Sequence, residues 1–513
     1  MNVLFVSIDS LRRDFLGAYS DRPTVVDYDV ETDNLDRFAQ RATVFDSHYA
    51  GSLPCMPARR EWLTGVKEFP WRPWGPVEPF DEPVAELARD DGILTQLVTD
   101  HFHYFQHGSH GYYEDFNGFE FVRGNEYDAW QTSPKHPPEA FCDQLLDRET
   151  DPTTSMQYLN RNAYARNANG FDEESDYFAP KVFSRTAEWL SENRDWEQWF
   201  CYVDSFDVHE PFDVPESYAS MYTDEDPTDP DLPVWPYYGS VDEGQSELTD
   251  RQLAFVQSQF AGSVTMVDRW FGRVLETLDE DGLWDETMVI VTSDHGFALG
   301  DNGWVGKNDF TIYDVIAHTP LMIWHPEQAA GGRVSALTTA VDLYATMLDA
   351  MAVERPADTH SRSLLPLVRG TRADHRDAVL FGYWGSSVNV TDGTYTYHRP
   401  PESDSETLCH STTMQNPHSW FTPPTARTDP DAGAYLPYTD ASVWRYPADS
   451  WFQHRDERLY DTANDPEQTT NVATDAPETV ERMRTLLERG LDDLDAPESQ
   501  WPRLGLYTGG RKQ

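Results

Sequence analysis

Lysine is nearly missing from this chain: among 513 residues only Lys67, Lys135, Lys181, Lys307 and Lys512 carry an ammonium side chain. Positive charge as a whole is scarce, with 39 Lys+Arg against 89 Asp+Glu and a formal charge of −50. A chain without a basic footprint is not a nucleic-acid binder, nor one drawn to an anionic membrane by bulk charge. Cysteine is sparse too. Cys55, Cys142, Cys201 and Cys409 stand at wide spacings that make neither a disulfide framework nor a C-x-x-C metal pair. No apolar run approaches the ~18–20 residues of a membrane span, and the opening residues lack a basic leader and a cleavage site. The expectation is a cytoplasmic protein with no membrane attachment. No internal repeat is visible.

What the chain does contain is enough apolar surface for a large core, at 39% hydrophobic and 13% aromatic residues, on a length that suits one large domain and a smaller one. Its acidic residues are spread from end to end rather than gathered on one segment. That distribution, with arginine supplying nearly all the positive charge, reads as adaptation to molar salt, where screening removes self-repulsion, rather than as an acidic face for a cationic ligand. The aromatic residues read as packing in the core and loops.

Short β-rich apolar runs recur at Asn2–Ile8, Gly92–Val98, Trp199–Val203, Thr287–Thr292 and Pro320–Trp324, as expected of strands covered on both faces. Helical patterns lie between them at Asn34–Ala42, Pro180–Glu192, Leu253–Leu278 and Asp342–Met351. This alternation predicts a large α/β/α sandwich with a mostly parallel sheet over residues 1–370. Polar, Pro- and Asp-rich stretches at Gln131–Asp151 and Thr223–Gly244 read as excursions from it. After Gly370 the texture changes to short antiparallel strands at Ala378–Gly382, Ser387–Val390 and Thr394–His398, the last two joined at Asp392-Gly393. A helix over Pro477–Leu491 follows, with Val480, Met483, Leu486, Leu487 and Leu491 on one face. Residues 371–513 are therefore expected to form a smaller C-terminal α+β domain with an antiparallel sheet.

In open α/β sheets the carboxyl ends of the strands face the ligand crevice. Here those ends carry Asp9-Ser10, Asp100-His101-Phe102-His103, Asp207-Val208-His209 and Ser293-Asp294-His295. A carboxylate beside a hydroxyl or imidazole is ligand chemistry for a hard or borderline divalent cation. His107, His110 and His318 read as loop or packing residues, and Asp301, Asp309 and Asp314 as solvated or capping ones. The segment Leu53-Pro54-Cys55-Met56-Pro57-Ala58-Arg59 stands apart, because Pro57 suits a first helical turn and so places Cys55 at a helix N-terminus, where free N–H groups favour an anion.

Cys55-Met56-Pro57-Ala58-Arg59 resembles the C-x-P-x-R signature of the type I sulfatases, the formylglycine-dependent branch of the alkaline phosphatase superfamily. Leu63-Thr64-Gly65 continues it. The likeness extends to Asn2 through Arg12, to Val289 through Lys307, and to Leu459-Tyr460-Asp461 with Asp465-Pro466-Glu467 and Asn471. A stretch from Tyr112 to Trp130, containing Arg123 and Glu126, is similar to one subgroup of the family.

The resemblance implies a formylglycine made from Cys55 by a maturation enzyme. It implies metal ligation by Asp9, Asp294 and His295, with Ser10 where many members have a second Asp. Arg59 would orient the formylglycine, Lys307 would hold a sulfate or leaving-group oxygen, and His209 would assist the leaving group. His101-Phe102-His103 is similar to a Lys-Trp-His element, which puts His103 at the base position and His101 where Lys is usual. One carboxylate fewer makes the site less negative, so Ca²⁺ comes first with Mg²⁺ and Mn²⁺ as competitors. The implied activity is hydrolysis of a sulfate monoester, of a small molecule or a saccharide. A phosphonate monoester or phosphodiester hydrolase of the same superfamily is the nearest alternative, and a metal-binding homologue with unmodified Cys55 the alternative from another class.

Overall fold

The structure is a computed structural model that describes residues 1–19, 24–106, 109–131, 137–146, 161–308, 311–328, 331–403, 405–413, 434–435, 442–448 and 456–506. Its main sheet is built from β1 (Asn2–Ile8), β2 (Thr43–Phe45), β3 (Leu94–Thr99), β4 (Gly118–Phe121), β5 (Trp199–Ser205), β6 (Thr287–Thr292), β7 (Leu321–Trp324) and β8 (Gly332–Val334). The eight strands lie in the order β8-β2-β7-β6-β1-β5-β3-β4. All neighbours run parallel except β7, which is antiparallel to both β6 and β2.

Alternation along β1 shows why the sheet is covered twice. Leu4, Val6 and Ile8 pack toward α1 (Asp33–Arg41), and this core takes in residues of α3 (Phe178–Asn193) and α4 (Asp250–Glu280). Val3 and Phe5 point the other way, into a core with α2 (Cys55–Thr64) and α5 (Asp342–Met351). A period of two on a strand splits its side chains between the faces, so an unbroken apolar run can be buried only between two helical layers. Strand and helix positions fall within a few residues of those expected from the sequence.

A second sheet holds β9 (Val379–Tyr383), β10 (Val388–Thr391), β11 (Tyr395–Arg399) and β12 (Arg458–Asp461), in the order β12-β11-β10-β9 and antiparallel throughout. Gly393 turns the chain between β10 and β11 at φ +83°, where only glycine is at ease. The helix α6 (Pro477–Asp493) covers this sheet with Val480, Met483, Leu487 and Leu491, while Leu486 is only partly buried. The edge of the second sheet is completed by Ser52–Leu53, which pairs in parallel with β9. The residues just ahead of α2 are thus strapped to the C-terminal sheet.

All of α2 is buried, including Arg59, Arg60 and Glu61. Such a helix is tolerable only if its charges are paired. Arg60 reaches Asp81 (Nη2 to Oδ2 2.5 Å) and Glu68, and Glu61 accepts from the Ser52 N–H at 2.6 Å. Pro57 lies in the first turn, where the N–H it lacks would have had no intrahelical acceptor. Gly65 ends the helix at φ +71°, and a Cβ there would lie 2.4 Å from the Tyr344 ring.

Within Gln131–Asp151, residues 132–136 and 147–151 lie outside the described residues, as do His107 and Asp309. Thr223–Gly244 runs back over the sheet, burying Leu232, Val234 and Trp235. His318 packs against Tyr49 as expected, and His110 is exposed. Asp314 departs from the solvated role: it is 4% exposed and faces Tyr49 and His318. Asp301 binds Arg12. Among the described residues no helix is long and apolar enough to cross a membrane.

Candidate active site

Four neighbouring strands of the main sheet, β6, β1, β5 and β3, deliver their carboxyl ends to one place. Asp9 and Ser10 follow β1, and both are fully buried. Ser10 sits at φ +60°, a strained setting for a residue with a side chain. The turn directs its N–H to Asp294 Oδ1 (3.1 Å) and its hydroxyl to Asp9 Oδ1 (2.7 Å). Ser10 is therefore beside the expected metal ligands and engaged with two of them. Asp294 and His295 follow β6. His295 Nδ1 donates to the Gly296 carbonyl (2.9 Å), which leaves Nε2 as the nitrogen with a free lone pair, 3.2 Å from Cys55 Sγ.

Cys55 is the first residue of α2, and Arg59 lies one turn later on the same face. The Arg59 fork is completely buried and is consumed by carboxylates. It donates to both oxygens of Asp204 (Nε 2.8 Å, Nη2 2.9 Å), to Asp9 (2.9 Å) and to Asp294 (2.5 Å), while Nη1 also reaches the Cys55 carbonyl (3.1 Å). Asp204, which the sequence reading did not single out, additionally accepts from Tyr104 Oη (2.8 Å) and from Ser7.

Ligand atoms of Asp9, Cys55, Asp294 and His295 all lie within 4.8 Å of one another. Asp9, Asp204 and Asp294 share one guanidinium, an excess of negative charge in a buried space. Its consequence is unequal: the Asp9 carboxyl lies well below the usual range, Arg59 and Lys307 overcoming its burial, whereas burial and Asp9 push Asp294 up to about 7. A divalent cation would let both ionise. The donor set, two carboxylates and a neutral imidazole nitrogen at the mouth of a helix, fits such an ion. The Cys55 thiol is pushed well above its ordinary value by burial and by Asp9.

Lys307 follows a short strand, Trp304–Gly306, and brings Nζ to 3.9 Å from Asp9 Oδ1. Burial works against its charge, but Cys55, Glu210, Asp9 and Asp294 outweigh that and raise it. Its Nζ has no hydrogen-bond partner among the described residues. His101 lies fully buried, Nε2 3.6 Å from Asp9 Oδ2. Burial and then Arg59 push it well below the ordinary histidine value. A neutral imidazole thus occupies the position where the resemblance implies a lysine.

His103 stands 5.1 Å from His101, ring to ring. Its Nδ1 faces Gln106 Oε1 at 2.6 Å and its Nε2 faces Glu126 Oε2 at 2.9 Å. His209 stacks on Phe206 at 4.0 Å and donates Nδ1–H to the Glu210 carbonyl at 2.7 Å. Glu210 accepts from Tyr238, which arrives on the Thr223–Gly244 excursion. Glu126, His209 and Glu210 bring ligand atoms within 4.8 Å of one another. All ten residues expected from the sequence thus border one continuous cluster. The strand-end acids Asp100 and Asp207 are occupied elsewhere, accepting from Phe206 N–H (2.7 Å) and Asn125 (2.9 Å), and from Ala179 N–H (2.9 Å).

The sulfatase family profile matches residues 1–353. The chain is 25% identical to the multifunctional alkaline phosphatase superfamily protein PehA of Trinickia caryophylli over 439 residues, 74% of this chain and 80% of that one. It is 23% identical to an arylsulfatase of Clostridium perfringens, again over 74% of this chain and 80% of the relative. Among solved structures, the phosphonate monoester hydrolase SpPMH of Silicibacter pomeroyi superposes with a TM-score of 0.66 at 20% identity, covering 98% of this chain and 96% of that one. The fold is accordingly that of the alkaline phosphatase-like enzymes, and the chain belongs to the sulfatase family.

Proposed function

We propose that this site hydrolyses a sulfate monoester to an alcohol and inorganic sulfate, with Cys55 converted to formylglycine by a maturation enzyme and one divalent cation, Ca²⁺ first, at Asp9, Asp294 and His295. The observation that carries the reading is the position of Cys55: first residue of a buried helix, 3.2 Å from His295 Nε2, its ligand atom within 4.8 Å of those of Asp9, Asp294 and His295, and beside a lysine whose Nζ makes no hydrogen bond among the described residues. When bound, the cation supplies Lewis-acid polarisation of a sulfate oxygen and of the nucleophile. Formylglycine at position 55 would supply a hydrated aldehyde, with one hydroxyl as the nucleophile and a second through which the sulfate could be released.

The chain's own residues do the rest. Arg59 fixes Asp9, Asp204 and Asp294 in one rigid constellation and holds the backbone of residue 55. Lys307 offers its ammonium to the sulfate oxygens, where charge grows as the ester bond breaks. The resemblance sets His209 beside the leaving oxygen, where Nε2, the nitrogen not engaged with the Glu210 carbonyl, would take up the proton given off by the attacking hydroxyl and pass it to that oxygen. A proton taken up by His103 is stabilised by the Glu126 carboxylate 2.9 Å away. His101, neutral, contributes a hydrogen bond rather than a charge.

The test is the mass of the peptide around Cys55 from the native host, paired with assays of a sulfate ester and a phosphate diester at high salt with Ca²⁺ or Mn²⁺. A loss of about 18 Da, thiol to aldehyde, together with sulfate release, is the expected result. The same loss with phosphodiester cleavage alone would overturn it in favour of a phosphohydrolase. An intact thiol with no turnover would point to a non-catalytic homologue.

A further inference from the structure

Two carboxylates of the site, Glu126 and Glu210, are given no task toward the alcohol half of the substrate by the chemistry above. Glu126 is 5% exposed and Glu210 2% exposed. Both are set by the fold: Glu126 sits at φ +46° behind Asn125, whose side chain is anchored to Asp100, and Glu210 is held by Tyr238. Each has an oxygen, Oε2, that is buried without a hydrogen bond of good geometry. Neither meets an arginine or a lysine in an ion pair among the described residues; their only such contacts are His103 and His209. Two buried carboxylates beside each other with no cation of the chain between them are costly unless something charged completes them.

Position decides what that is. His209, clustered with the two, is the residue that the proposed function sets on the leaving-alcohol side, as it sets Lys307 on the sulfate side. Lys307 acts on Glu210 electrostatically, but its ion contact is with Asp9. Oxygen atoms no more than 4.8 Å apart can both lie about 2.8 Å from a single ammonium nitrogen.

We infer that Glu126 and Glu210 form a cation subsite for the alcohol half of the substrate, so that the enzyme prefers sulfate esters of amino alcohols or amino sugars and disfavours those carrying a second anion. This rests on the sulfatase reading, and the experiment separates the two. The holoenzyme is assayed, at one fixed KCl concentration, on 3-aminopropyl sulfate and on butyl sulfate, the same chain with CH₃ in place of NH₃⁺. Binding of 4-aminobutanesulfonate and pentanesulfonate, which carry CH₂ in place of the ester oxygen and cannot be hydrolysed, is measured by calorimetry alongside.

A charge-assisted pair predicts a preference of roughly 10–100-fold in kcat/KM and in affinity for the ammonium member. Glu126→Gln and Glu210→Gln should each reduce that ratio about tenfold; because it is a ratio, it does not depend on the fraction of variant that folds. Equal kcat/KM for the two esters overturns the subsite while leaving the sulfatase reading intact. Loss of all sulfate release overturns the sulfatase reading, and the sulfonate pair then still decides the subsite. Two bound divalent ions in the wild type, falling to one in either variant with no ammonium preference, would replace it with a second metal site.

Discussion

Asp204 is the sharpest place to test how the site is held, because it touches no substrate and yet grips Arg59 with two hydrogen bonds of 2.8 and 2.9 Å. In Asp204→Asn the shape survives but one oxygen becomes an NH₂ group. Whichever oxygen that is, one Arg59 N–H then faces a donor, while the Tyr104 or Ser7 hydroxyl on the same atom can turn and accept. The loss is one buried charge-assisted bond, about 1.5–3 kcal/mol. At about 2.1 cal/mol/K per residue, a chain of this length shifts its melting temperature by only about 1 °C per kcal/mol, so the melt should fall by roughly 2–3 °C. Turnover is the more sensitive readout. A guanidinium released from Asp204 moves Asp9 and Asp294 with it, and misplacement of reacting groups by about 1 Å costs on the order of 10²-fold. Initial rates on 4-nitrophenyl sulfate, normalised to formylglycine content by mass, should show kcat lowered about 10–100-fold with KM little changed. Wild-type kcat in a normally folded variant would refute the idea that the Arg59 hub sets the geometry.

Lys307→Ala removes the unpartnered ammonium and should cost about 10²–10³ in kcat/KM with an unchanged far-UV spectrum; comparable activity would make Lys307 merely structural. Burial alone would raise the Asp342 carboxyl, but Arg376 and His375 hold it well below the usual range, so its stabilisation is present above the unfolded value of about 3.9 and is lost as pH falls through the folded one. Urea titrations should therefore show Asp342→Asn destabilised by about 3 kcal/mol near neutral pH, and the gap should close as the medium becomes strongly acidic. With a formal charge of −50, the melting temperature should rise between about 0.15 M and about 1 M KCl, as the screening length falls from about 8 to about 3 Å; a flat or falling curve would remove the reading of adaptation to salt. Cys55 is 2% exposed within a buried helix, so a maturation enzyme should convert an unfolded peptide spanning Ser52–Gly65 and leave the folded chain untouched, as read by mass.

The strand ends were legible because the chemistry is placed by a simple rule: an apolar run of one strand's length, then a carboxylate. Asp9, Asp294, His295 and the His101–His103 pair all obey it. Asp204 does not, since it lies inside β5 rather than after it, paired with Ser7 across β1. Only its inward period-two position, shared with Tyr202, marked it as facing the α2 side, and a carboxylate there is indistinguishable by pattern from one that ends a strand. The second sheet was legible from its short alternating runs and from the Asp392-Gly393 turn, whereas its edge strand was not. Ser52–Leu53 is two residues long, and a partner so far along the chain leaves no periodicity to read. Glu126 and Glu210 could not be read from the sequence as a pair, because their meaning depends on which loops come to lie together.

That edge strand gives the C-terminal sheet a share in the chemistry. From Leu53, paired with Tyr383, only Pro54 intervenes before Cys55, so Cys55 hangs between the two sheets. At its other side α2 is locked by the Arg59 hub to β1, β5 and the end of β6. A helix held at one end only could pivot about its arginine, and Cys55 lies one turn from that pivot, where a small rotation displaces Sγ by a large fraction of a bond length. Fixing the preceding residues to β9, the Ser52 N–H to Glu61 and the Ser52 hydroxyl to the N–H groups of Glu68 and Phe69 removes that freedom. Tyr383, at the end of β9, also donates to the Lys307 carbonyl, so the same strand steadies both Cys55 and Lys307. The C-terminal sheet is then part of the active-site scaffold rather than an appendage, and the relative placement of Cys55 and Lys307 is set by a strand that neither residue belongs to.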